Sequence, residues 1–199
     1  MSKRLAFIGT DWRDVGTRQA EAMLAALGGR KGKVAMLGLI EQSIDQLAFE
    51  GFRAVAGPAG LEVMEPQPDK GSQAEAARVA GALIQAHPDL VGLAGFDSES
   101  GPGIGQAVRE AGAADRITAT CVDAEEQHLR LLKEGVLVAC VGQKRELFTY
   151  QGVKTLFELR HPPVRFTVDD RRAGISPAPV SYNTGTYTVT RETVDLFLR

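Results

Sequence analysis

Short, nearly continuous apolar runs alternate along this chain with amphipathic windows of helical period, and that alternation limits the fold more than any other feature. The runs are Arg4–Thr10, Lys33–Leu39, Leu61–Gln67, Leu90–Phe96, Arg116–Val122 and Leu137–Gly142. Parallel strands buried on both faces read this way, because neither face keeps the polar alternation of a half-exposed strand. Between them the periodicity predicts helices near 13–27, 43–57, 72–87, 101–112, 124–134 and 145–160. Gly28-Gly29 and Gly112 stand where the first and fourth should stop, since glycine readily takes the left-handed conformation that closes a helix. The expectation is an α/β fold: a parallel sheet flanked by helices on both faces, with right-handed crossovers.

After His161 the character changes. HPPVRFTVDDRRAGISPAPV is rich in proline and charge and reads as a linker, YNTGTYTVT alternates like one exposed or edge strand, and RETVDLFLR reads as a short last helix with Thr190 as its N-cap. A length of 199 residues suits one large domain or one and a half small ones.

Composition narrows the function classes. A net charge of −2, with no Lys/Arg stripe interleaved with aromatics, argues against a nucleic-acid partner. No apolar stretch approaches a membrane span, and the run Leu5 to Ile8 is too short for a signal peptide. As written, the chain is expected to stay in the cytoplasm unless a leader precedes it. Cys121 and Cys140 lie in apolar, β-like runs and are expected to be buried, reduced thiols, with a disulfide open if their strands are neighbours. His87, His128 and His161 show no ligand spacing, so no metal and no cofactor is expected.

In open parallel sheets, ligands bind beyond the carboxyl ends of the strands. Those ends deliver Asp97, Asp123 and Gln143, and the second run leads into Ile40, Glu41 and Gln42. Carboxylates and amides are suited to hydrogen-bond the hydroxyls of a polyol. The competing reading is that Asp97 and Asp123 cap the helices that follow. The loop FDSESGPGIGQ is not a dinucleotide fingerprint. Gly101, Gly103 and Gly105 are spaced at alternate positions, and Gln106 stands where the third glycine belongs. They are expected to form a compact strand-to-helix turn behind Asp97 that lets backbone approach the cleft. With no phosphate-binding loop and no G-x-S-x-G elbow, an enzyme is not expected.

The ordered segments AHPDLVGLAGFDSESGPGIGQAVREAG, ITATCVDAEEQHLRLLKEGVLVACVGQ, YQGVKTLFEL and TGTYTVTRETVDLFL resemble the sugar-binding periplasmic proteins of the ribose-binding type, which feed ABC transporters. AFIGTDWRDVGTRQAEAML is similar to the segment where such chains pass from their first lobe to their second, and QLAFEGFRAV to their helix with a Glu-Gly-Phe signature. The resemblance implies two α/β lobes clamping a sugar, of which this chain holds the second lobe without the first. It is thus expected to be truncated. It divides into a crossover strand (1–10), a ligand-binding lobe (11–143), and a crossover helix, linker and C-terminal strand and helix (144–199). On the family pattern Asp97, Asp123 and Gln143 contact ligand. The sugar-binding arginine falls at Ala48, where Gln46 or Gln42 is a partial replacement, and the stacking aromatic falls near Gly71, which speaks against a simple ribose-like ligand. Implied with the family are an ABC-transporter permease as partner and a periplasmic or extracytoplasmic location. The helix at 145–160 carries Leu147, Phe148, Val153, Leu156 and Phe157, an apolar face expected to pack across a homodimer. The same fold serves lac-repressor-type regulators as effector-binding domain, an alternative that stands beside the less favoured nucleotide-dependent α/β enzyme.

Overall fold

The structure, a computed structural model, describes residues 4–198. Its elements in chain order are β1 (Phe7–Gly9), α1 (Trp12–Leu27), β2 (Lys33–Gly38), α2 (Ser43–Ala56), β3 (Glu62–Val63), β4 (Gln67–Pro68), α3 (Gln73–Ala86), β5 (Leu90–Gly95), α4 (Ser100–Glu110), β6 (Thr118–Val122), α5 (Glu126–Lys133), β7 (Ala139–Gln143), α6 (Glu146–Arg160), β8 (Ser181–Asn183), β9 (Thr186–Thr190) and a 3-10 turn, Val194–Leu196. They fall into two compact units. The larger comprises 12–142 and the segment from Tyr187 on; the smaller comprises 143–186 and the segment up to Asp11.

The larger unit is built on a sheet of order β3-β2-β5-β6-β7-β9, with β4 also pairing with β2. The pairings of β2 with β3, β4 and β5, of β5 with β6 and of β6 with β7 are all parallel. Side chains alternate across it. Val34, Met36, Ala94 and Phe96 pack with α1 and α2, whereas Ala35, Leu37, Leu93, Ala119, Cys121 and Cys140 pack with α3, α4 and α5. Both faces are therefore buried, which is why the strands read as unbroken apolar runs. Helices α1 and α2 meet through glycine: a Cβ on Gly16 would collide with the Ala48 carbonyl, and one on Gly51 with the Arg13 carbonyl.

The predicted helices appear with ends shifted by a residue or two, and Gly28 (φ 58°), Gly29 (φ 92°) and Gly112 (φ 56°) close α1 and α4 as expected. Three local readings are corrected. Leu61–Gln67 forms two short pairings rather than one strand, since Pro66 between them has no N–H to offer a ladder. YNTGTYTVT forms two strands, because Gly185 (φ 77°) turns the chain between β8, which pairs with β1, and β9, which lies beside β7. The last helical segment is a 3-10 turn with Thr193, not Thr190, in the N-cap position. The Thr193 hydroxyl accepts from the Thr190 N–H at 3.1 Å, and the Thr190 hydroxyl donates to Glu192.

In the smaller unit β1 and β8 pair in parallel, with Phe7 opposite Ser181, and α6 packs against β1. Gln143 closes β7 and accepts a hydrogen bond from the Thr10 hydroxyl at 3.2 Å. Within α6 only Thr155 is buried. Residues 161–180 are almost entirely exposed. Among the described residues no helix is long and apolar enough to cross a membrane.

Candidate functional site

The carboxyl end of β2 organises one edge of the larger unit. Leu37 pairs with Gln67 of β4 and with Gly95 of β5, so the chain leaves both neighbours level with it. The Asp69 N–H donates to the Gly38 carbonyl at 3.3 Å and the Phe96 N–H to the Leu37 carbonyl at 2.9 Å. Phe96 is fully buried and meets Phe49 and Phe52 edge to face, at centroid separations of 5.0 and 5.9 Å. This aromatic anchor fixes the backbone that presents Asp97.

Asp97 Oδ1 accepts the N–H groups of Glu99 and Ser100 at 2.8 and 2.9 Å. The capping role therefore exists, and it occupies one oxygen only; Oδ2 is buried and takes no N–H or hydroxyl donor. Asp123 follows β6 with φ 69°, a left-handed conformation that aspartate tolerates better than most residues. Its N–H donates to the Val141 carbonyl at 2.9 Å, and its side chain, in a residue only 5 % exposed, accepts the Ser98 hydroxyl at 2.5 Å. Ser98 thus ties the loop carrying Asp97 to Asp123. Asp123 is not the cap of the next helix, as the alternative reading had it: α5 starts at Glu126, with Glu125 in the N-cap position.

The other residues singled out from sequence are Gln143, Gln42 and Gln46. Gln143 belongs to the smaller unit. Gln42 and Gln46 are exposed at the head of α2. The Gln46 amide donates to the Ile40 carbonyl at 3.1 Å and lines a shallow groove of about 380 Å³ with Phe49, Glu50, Arg53 and Glu65, a groove that neither Asp97 nor Asp123 reaches.

Two buried acids at the same edge escaped sequence reading. Asp69 is fully buried; its Oδ1 accepts the Gly71 N–H at 3.1 Å and its Oδ2 accepts the Ser100 hydroxyl. Burial, with Asp97 as an acidic neighbour, pushes its carboxyl up to about 7. Asp45, 1 % exposed, accepts the Leu39 N–H at 2.7 Å, and burial aided by the charge of Asp97 pushes it up to about 6. The sequence PDKG around Asp69 reads as a turn, and Asp45 as an ordinary acid in the first turn of a helix. A neighbour contributed by another strand's end leaves no local signal.

The glycines of FDSESGPGIGQ serve packing rather than backbone approach to a cleft. Gly101, Gly103 and Gly105 are buried within α4; a side chain there would strike Cys121 and His128, Ala76 and the Gln73 carbonyl, and Leu131 respectively. Cys121 and Cys140 are buried free thiols on neighbouring strands, in register, with their sulfurs 3.5 Å apart. Among the described residues no group of His, Cys, Asp or Glu is placed to hold a metal ion. What the edge offers is a set of anchored oxygen acceptors with serine hydroxyls between them, a chemistry suited to hydroxyl donors.

A family model described as a periplasmic binding protein domain matches residues 1–160. The chain is similar to a sugar-binding protein of a sugar ABC transporter from Bacillus halodurans, at 30 % identity and a TM-score of 0.89, over 99 % of this chain and 68 % of that one. It is similar to an arabinose-binding protein from Geobacillus stearothermophilus, at 28 % identity and a TM-score of 0.87, over 100 % of this chain and 67 % of that one. An ABC-transporter periplasmic solute-binding protein from Actinobacillus succinogenes with bound D-allose shares the fold, at 17 % identity and a TM-score of 0.81, over 96 % of this chain and 63 % of that one. No curated protein matches. With a parallel sheet covered on both faces, acids at its carboxyl edge and a family match over most of its length, this chain belongs to the periplasmic binding protein family and has its type I fold.

Proposed function

We propose that the chain binds a carbohydrate for uptake through an ABC transporter and catalyses no reaction. The observation that carries the reading is the Asp97–Ser98–Asp123 arrangement: two carboxylates at adjacent strand ends, the loop that carries Asp97 joined to Asp123 by the Ser98 hydroxyl, with Asp123 held in a left-handed conformation. Backbone held in a sparsely populated region at a ligand-binding edge is a pointer to function. Asp97 and Asp123 are the proposed ligand contacts of the lobe at 11–143, with Gln42 and Gln46 as peripheral ones. Gln143 is proposed separately, on the family resemblance alone. The proposed partner is a transporter permease, and the proposed location is periplasmic or extracytoplasmic.

The chain spans about two-thirds of the length of the relatives it matches, so its binding on its own is expected to be weak. A thermal-shift panel of pentoses, hexoses, polyols, NAD and ATP at millimolar concentration tests the reading. Stabilisation by one sugar class is expected, and Asp123→Ala should weaken that response about tenfold or more, the worth of a hydrogen bond to a charged group. A response to nucleotide alone, or a sugar response untouched by Asp123→Ala, refutes the proposed site.

The exposed apolar side of α6 is proposed to be covered by a second copy of the chain; the other available cover is protein mass equivalent to the remaining third of the relatives' length.

A further inference from the structure

The chain has two cysteines, and the fold brings them together. Cys121 of β6 and Cys140 of β7 lie 19 residues apart in sequence, yet they are direct partners in the parallel pairing of the two strands. Their side chains share one face of the sheet, in the cluster packed with α3, α4 and α5. Neighbouring strands lie about 4.7–4.9 Å apart, inside the Cα separation of about 4.4–6.8 Å that a disulfide spans. The sulfurs touch at 3.5 Å, so a bond of about 2.05 Å asks for a closure of about 1.5 Å. Both residues are fully buried. A Cβ on Gly101 of α4 would lie 3.0 Å from the Cys121 sulfur, and the His128 carbonyl of α5 lies 3.9 Å from the Cys140 sulfur.

We propose that Cys121 and Cys140 form a cross-linking site: as the chain folds, a small-molecule disulfide oxidises the pair to an intramolecular disulfide that staples β6 to β7. One cysteine thiolate attacks the external disulfide, which forms a mixed disulfide and releases one thiol. The second cysteine thiolate attacks the protein sulfur of that mixed disulfide and releases the other thiol. The pair loses two electrons and two protons, and the oxidant is reduced to two thiols. The reaction belongs to folding rather than to the folded chain, because exchange needs access and a thiolate, and the finished core denies both. The same burial then shields the bond from reductants. The proposed extracytoplasmic location is a setting in which disulfides persist. The staple sits one residue pair before Val122 and Val141. The Val141 carbonyl accepts the Asp123 N–H at 2.9 Å, so the bond fixes the seam that presents Asp123.

The test refolds the full chain from its reduced, unfolded state, with oxidised glutathione in one arm and a reductant in the other. Free thiols are alkylated under denaturing conditions and the intact mass is read. The oxidised arm is expected to give single chains lighter by two hydrogens and free of alkylation, with both cysteines in one linked pair of peptides. Its melting temperature should exceed that of the reduced arm by about 5 °C, the effect of closing a loop of this size, and unfolding in reductant followed by refolding should remove the gain. Chain folded first in reductant and then moved into oxidised glutathione should cross-link at least about tenfold more slowly than refolding chain. Two free thiols after oxidative refolding, a bond that joins two chains, or a cross-linked chain that melts no higher than the reduced one overturns the inference. So does cross-linking of the folded chain as fast as of the refolding one. No arm contains a sugar, so this inference and the binding reading fail separately.

Discussion

Helices α1 and α6 are of similar length and have opposite surroundings. α1 buries Val15, Gly16, Gln19, Ala20, Met23 and Leu27; α6 buries Thr155 alone and leaves Leu147, Tyr150, Val153, Leu156 and Phe157 in solvent. Both carry apolar residues at helical spacing. α1 lies in the unit that holds the large sheet, where it packs with α2 over Val34, Met36, Ala94 and Phe96. α6 lies in a unit whose sheet is two strands of three residues each, too small to supply a core. An amphipathic pattern states that a face needs covering and is silent on what covers it.

This contrast makes measurable claims, beginning with the larger unit. Phe96→Ala removes the ring at the centre of the Phe49–Phe52 cluster and should cost about 3–5 kcal/mol in denaturant unfolding. A loss under about 1 kcal/mol would mean that this side of the sheet is not the packed core described. Gly51→Ala comes next: its new methyl meets the Arg13 carbonyl, forcing α1 from α2 at a cost of about 1–3 kcal/mol. The smallest effect on folding belongs to Phe157→Ala in α6, where a side chain of a residue 63 % exposed should matter by about 0.5 kcal/mol or less. The same substitution should instead reduce self-association of the chain in a light-scattering concentration series. A clean monomer throughout the series for the parent chain would remove the second copy as the cover of α6.

Much of the fold was legible because its signals are local. The helices and the longer strands follow from hydrophobic period, and the glycines after α1 and α4 from the backbone conformation they alone take easily. Misreadings fell where local pattern and tertiary pairing diverge. Tyr182 and Tyr187 alternate as if in one strand, yet the turn at Gly185 sends their segments to different sheets. Gly101, Gly103 and Gly105 read as a turn, and are small because α4 must lie close to β6, α3 and α5.

The candidate site divides the same way. That Asp97 and Asp123 follow β5 and β6 was determined by sequence alone, because the residue after a parallel strand stands at the ligand-binding edge of the sheet whatever surrounds it. That Ser100 reaches Asp69, that Ser98 reaches Asp123, and that Gln46 turns into a groove of its own were decided only by the tertiary structure. Strand order places β2 between β4 and β5 and sets the register in which they end. Burial of a carboxyl is set by neighbours distant in the chain, so no reading of its own segment reveals it.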